Sequence, residues 1–206
     1  MNRRFGLALV LIAFAALAAL LAADLLGVRS GMRRGDREFA TSPASASWRS
    51  GTVLPFDPAS SILDTGPDLA FRRAAQAFEA VTAPDRGFED PASAASARGQ
   101  VEGDLAASSR SGSGARVSAA DNMLGILAFA DSQRQGPNAP APVEQSVADF
   151  QSAVRADPSN ETAKYNLELL LEKLAARGTR VGPNGTAGGP SHGHRGAGGG
   201  VTGRGY

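Results

Sequence analysis

Residues 5–23 are 19 consecutive uncharged residues rich in Leu, Ala, Val and Ile. As a helix rising about 1.5 Å per residue, this run spans roughly 28 Å, close to the hydrocarbon thickness of a bilayer. A lone segment in lipid must pair its backbone polar groups internally, which leaves helix as its only conformation. Leu25, Leu26 and Val28 carry the apolar run past Asp24, placed here near the interface, so an anchor over residues 1–28 is expected. A cleaved signal peptide is the rival: Arg3 and Arg4 form a basic leader, and Leu21-Ala22-Ala23 is a passable cleavage site. The run exceeds the 7–15 residues usual for such a peptide, which favours a retained single-pass anchor contacting lipid through residues 5–28. Ala15, Ala19 and Ala23 form a small-residue row of the kind that lets helices approach closely. With eight alanines among the 19 positions, it reads as generic.

Orientation stays open. Arg29, Arg33, Arg34 and Arg37 outnumber the basic residues ahead of the run, which favours a cytoplasmic C-terminal side. A short basic N-terminus before one hydrophobic segment is instead the usual form of an anchor that exports the rest of its chain, and an extracytoplasmic body is the expectation adopted. Residues 29–50 read as a juxtamembrane helix fading into a linker, with Trp48 packed on the folded body because an indole buries so much apolar area.

Residues 51–178 read as an all-α domain. After a stiff Leu54-Pro55-Phe56-Asp57-Pro58 lead-in and a Gly-Pro break within residues 64–68, Phe71, Ala74, Ala75, Phe78 and Val81 recur at helical spacing over residues 68–81. Further helices are expected over 91–108, 117–132, 143–156 and 161–177. A Pro-rich loop over 136–142 and an Asp157-Pro158-Ser159-Asn160 break separate the last three. Asn160 fits an N-cap for the helix opening at Glu161, and Glu89-Asp90 fits the start of the helix at Pro91. No stretch alternates with period two. Residues 179–206 have many glycines, no acidic residue and few apolar side chains, and disorder is expected because they bury too little surface to offset chain entropy.

The most specific pattern lies in the last two helices. Ser146, Phe150, Ala153 and Pro158 have the spacing of the second half of a tetratricopeptide repeat, and Tyr165-Asn166-Leu167 resembles the start of another repeat. Leu124-Gly125 matches the Leu-Gly of a first helix, with about nine residues inserted before its partner helix relative to the 34-residue period. Ser146, Lys164 and Glu168 depart from the usual Ala, Trp and Gly. One full repeat with a long loop, plus a half repeat as a cap, is the expected arrangement, with residues 68–108 supplying extra packing helices. The groove of such a domain is lined by the first helix of each pair, which makes Leu124, Leu127, Tyr165 and Leu169 the candidate protein-binding residues.

Several stretches together resemble one family: Leu54-Pro55-Phe56-Asp57, Phe71-Arg72-Arg73, the Asn122–Gly125 turn of helix, residues 157–171, and the terminal Gly205-Tyr206. They are similar to actinobacterial membrane proteins found beside MoxR-type AAA+ ATPases and von Willebrand factor A domain proteins. The resemblance implies an accessory or scaffolding protein in a chaperone-like system, with a von Willebrand factor A domain protein or an AAA+ ATPase as partner. It implies no catalytic residues.

Composition narrows the chemistry. There are no cysteines, which excludes thiolate catalysis and cysteine-ligated metals. The two histidines, His192 and His194, lie in the Gly-rich tail, where two ligands make no closed metal site. Net charge is +1 with a pI near 8.2, so no nucleic-acid partner is expected. The expectation is a non-enzymatic membrane scaffold without cofactor. The alternative is an envelope structural protein whose basic tail makes the contacts.

Overall fold

The computed structural model describes residues 3–49, 58–83, 90–135, 140–176, 180–181 and 187–188. Seven helices occur in chain order among them: α1 (Arg3–Thr41), α2 (Pro58–Ile62), α3 (Thr65–Thr82), α4 (Pro91–Arg110), α5 (Gly114–Gln135), α6 (Pro140–Ala156) and α7 (Glu161–Ala176). A 3₁₀ turn (Pro43–Ser45) comes after α1. Arg180–Val181 (β1) pairs antiparallel with Ala187–Gly188 (β2), a ladder too short to form a layer. The fold is all-α. Other parts of the Gly-rich tail, and the 51–57 lead-in, lie outside the described residues.

Helix α1 has two halves of different character. Phe5, Leu9, Ile12, Phe14 and Leu17 are all more than half exposed, and among the described residues α1 is the one helix long and apolar enough to cross a membrane. Burial begins abruptly at Asp24, which is 0% exposed, and continues at Val28. Asp24 therefore lies inside the fold. The helix does not fade after residue 28: it runs unbroken to Thr41 and packs its second half on α2 and on the 3₁₀ turn.

Helices α3 to α7 stack as successive antiparallel neighbours, each packed on the next, with α5 also touching α3 and α7. Phe78 of α3, Val101 and Leu105 of α4, and Ala120 and Leu127 of α5 build one core. Val147 and Phe150 of α6 with Leu170 and Leu174 of α7 build a second, and Ile126 touches both.

Two helix starts fall earlier than the prolines suggest. Helix α3 takes in Gly66 and Pro67, and α6 begins at Pro140 and takes in Pro142. The first-turn amides of a helix have no intrahelical acceptor, so a proline there forfeits no hydrogen bond. The turn into α3 is made by Asp64 at φ 46°, the one non-glycine residue with positive φ among those described. The cap expected at Asn160 is in place, and Asp90, expected as a helix-start residue, caps α4. Asp90 accepts from the Ser93 amide at 3.0 Å, and Asn160 accepts from the Ala163 amide at 3.1 Å. The carboxyl of Asp90 is held below its ordinary range mainly by these first-turn amides; Glu89 lies outside the described residues.

Candidate protein-binding surface

Helix α5 carries a polar seam that sets how its neighbours approach. Ser118, Asp121 and Asn122 are buried on it, each answered from another part of the stack. Asp121 accepts from Ser109 of α4 and, at 2.7 Å, from Ser152 of α6. Asn166 of α7 donates to Asn122 at 2.9 Å, and the Asn160 side chain donates to Ser118 at 2.8 Å while also capping α7. Buried polar groups without partners are costly, so this seam fixes the register of α4, α6 and α7 against α5. One turn further on, the Ser146 hydroxyl donates to the Gly125 carbonyl at 2.8 Å and the Phe150 ring lies over the Gly125 backbone. A Cβ at position 125 would stand 2.7 Å from two ring carbons. Ser146, Phe150 and Ala153 are all buried against this contact.

A second set of contacts ties α1 to the stack. Asp36 Oδ1 accepts from the Trp48 indole at 2.8 Å and from Arg72 Nε at 2.7 Å, while Oδ2 accepts from Arg72 Nη2 at 3.0 Å. The Arg72 guanidinium first, and the indole after it, hold the Asp36 carboxyl below its ordinary range against the opposing effect of partial burial. The Gln76 amide donates to the carbonyls of Pro43 and Ala46 at 2.7 and 3.0 Å. Trp48 itself lies against Gly35, where a side chain would collide with the indole, and tilts against Phe39 with ring centroids 5.8 Å apart. Trp48 thus packs chiefly on α1, in a docked clamp rather than a linker, and reaches α3 through the shared Asp36.

This docking creates a cleft of about 550 Å³ between α1, α3 and the N-terminal half of α5. Its walls are Phe39, Trp48, Phe71 and Met123, and Arg72 and Arg116 face it, joined through Asp68. A second cleft of about 640 Å³ opens between α4 and α6, with α5 as its floor. Leu124 and Ala128 line that floor, and Glu102, Asp131 and Asp149 rim it. Arg98 neutralises part of the rim: it pairs with Asp131 at 3.1 Å and Glu102 at 3.4 Å, and donates to the Leu127 carbonyl. Burial pushes the Asp149 carboxyl up to about 6; the Gln145 amide opposes this and the nearby Asp121 adds to it.

The four candidate residues do not converge on one site. Leu124 lines the α4–α6 cleft, Leu127 is a core residue at 1% exposure, and Leu169 and the 63% exposed Tyr165 lie on α7, either side of Asn166. Phe71 and Met123, which the sequence marks only as apolar helix positions, wall the first cleft. Among the described residues no group of three or more His, Asp or Glu is placed to hold a metal. Comparison of the chain with protein-family models, curated proteins and solved structures finds no match.

Proposed function

We propose that this protein is a membrane-anchored helical scaffold whose stacked hairpins hold a segment of another protein. The observation that carries the proposal is the cleft between α1, α3 and α5, where aromatic and Met side chains meet two guanidiniums. Surfaces of this composition, with aromatics, Met and Arg around a concave patch, are typical of the centres of protein interfaces. The order of contacts supports a tetratricopeptide-like reading: α3, α5 and α7 touch in series as the first helices of successive pairs, and α4 and α6 pack outside them. On this reading the binding face runs from Phe71 through Met123 to Leu169 and Tyr165, Leu127 belongs to the core, and Leu124 faces the opposite cleft. The sequence resemblance makes a von Willebrand factor A domain protein or a MoxR-type AAA+ ATPase the first partner to try, in an accessory role at the membrane.

The test is site-specific photo-crosslinking in native membranes. A photoreactive residue at Met123 should give one discrete partner adduct, and the same residue at Glu144, on the far helix, should not. Adducts absent at Met123, or equal at both positions, would overturn the groove. Retention of the adduct after deletion of residues 178–206 separates the scaffold from an envelope protein that binds through its tail.

A further inference from the structure

The second half of α1 sorts its charges by partner. Its acidic residues are all engaged by the rest of the chain: Asp24 is fully buried, Asp36 is held by Arg72 and Trp48, and Glu38 accepts from the Ser47 amide. Arg29, Arg33 and Arg37 recur every four residues on the side opposite Asp24, Val28 and Gly35, with Arg34 beside them. All four are exposed, and among the described residues none lies within ion-pair distance of a carboxylate. Because α1 is one uninterrupted helix, the height of this stripe above the apolar half is set by helix geometry. Leu26, 66% exposed on the same side, marks the upper edge of the lipid-facing surface.

We propose that this arginine stripe is a binding site for anionic phospholipid headgroups, resting on the reading of α1 as a membrane anchor. From Leu26 the rise is roughly 4.5 Å to Arg29, 10 Å to Arg33 and 16 Å to Arg37. The headgroup layer is about 5–8 Å deep on each side of the hydrocarbon. Arg29 and Arg33 therefore reach lipid phosphates directly, by lowering their guanidiniums along their apolar stems. Arg34 and Arg37 stand within about one Debye length (8–10 Å) of the charged surface and add to the attraction. The stripe lies opposite the face of α1 buried at Asp24, Val28 and Gly35, so occupied headgroups do not compete with that packing.

The test uses the full chain in phosphatidylcholine bilayers containing spin-labelled phosphatidylglycerol or spin-labelled phosphatidylcholine. Each basic side chain near an anionic surface is worth about 1 kcal/mol, or about fivefold per contacting headgroup. The protein should therefore prefer the anionic label about fivefold at low ionic strength, and the preference should approach unity at high salt. Replacing all four arginines with Gln should abolish the preference, and replacing all four with Lys should retain most of it. No preference in the native chain, an unchanged preference in the Gln variant, or loss in the Lys variant too would each overturn the proposal. If the Gln variant keeps its lipid preference but loses binding to a polyglutamate peptide, the stripe belongs to an acidic protein and the proposal fails. Carbonate extraction of the same bilayers tests the anchor by itself: release of the chain refutes the anchor, whereas retention without lipid preference refutes only the lipid site.

Discussion

Replacing Asp149 with Asn should make the protein more stable at neutral pH and leave it unchanged in acid. Asp149 sits on α6 at the rim of the α4–α6 cleft, and the Gln145 amide donates to it at 2.8 Å. Burial, and secondarily the charge of Asp121, raise its carboxyl from 3.8 to about 6. Below the lower value the side chain is protonated in both the folded and unfolded chain. Between the two, the folded carboxyl keeps a proton that the unfolded one has lost, so this group's contribution to stability falls as pH rises through that window. Above the upper value the cost of a half-buried charge is complete. A shift of roughly two units corresponds to about 3 kcal/mol, and solvent screening of a side chain this exposed reduces that to about 1 kcal/mol. Asn keeps the shape and the acceptor for Gln145 and removes the charge. Thermal melts of the full chain in detergent, followed by circular dichroism, should show the Asn variant melting about 2–4 °C higher at about pH 7.5. The two curves should converge at about pH 3.5. Equal stability at neutral pH, or an advantage that persists undiminished in acid, would refute the argument.

Gly125→Ala should destabilise the α5–α6 contact by about 1–2 kcal/mol: overpacking against the buried Phe150 ring outweighs the gain in helix propensity. Denaturant titration reads the effect, and a neutral or stabilising result would show that the ring can move aside. Phe150→Ala should cost about 3–5 kcal/mol by opening a cavity between α5, α6 and α7. In the double variant the two costs should sum to clearly less than their separate values, because the added Cβ occupies part of the vacated space. Trp48 is the single tryptophan and reports on the clamp directly. Its emission should stay constant on acidification until the pH falls below 3.8, because Asp36 is held ionised beneath that value by Arg72, and then shift to the red as the carboxylate is lost. In Arg72→Met the same shift should begin at higher pH.

Helices α3 to α7 were legible because their signals are local, whereas α2 (Pro58–Ile62) falls where the prolines suggest an extended lead-in. Phe71, Ala74, Ala75 and Phe78 mark one face of α3, Asn160 and Asp90 announce the starts of α7 and α4, and Ser146, Phe150 and Ala153 mark the tight face of α6. The starts of α3 and α6 were misplaced because a proline reads as a break everywhere except in a first turn, and only the surrounding fold says which case applies. The first cleft was not legible. It exists because Arg72 crosses 36 positions to Asp36 and Gln76 reaches back to Pro43 and Ala46, and nothing in residues 29–50 betrays those partners. Leu127 was indistinguishable from a groove residue for a related reason. Its neighbour Leu124 has the same chemistry, and the rotation of α5 that buries one and leaves the other lining a cleft is set by the Asp121 and Asn122 hydrogen bonds to other helices.

On the proposed reading, the polar half of α1 changes what an anchor does for a scaffold. A flexible linker of some 20 residues would let the body take any attitude above the bilayer, and each encounter with a partner would have to meet the cost of orienting it. Here the helix leaves the apolar segment without a break. It is buried low, at Asp24 and Val28, and held high, at Gly35, Asp36 and Phe39, by Trp48 from beyond its C-terminal turn and by Arg72 of α3. Two grips on one rigid rod fix rotation as well as tilt. The cleft walled by Phe39, Trp48, Phe71 and Met123 is built partly from that rod, so on the anchor reading its height and facing direction would follow from where the apolar residues of α1 sit in lipid. On the proposed scaffold reading, a partner confined to the same membrane would meet this cleft already oriented and would gain affinity by pre-organisation, without a larger interface.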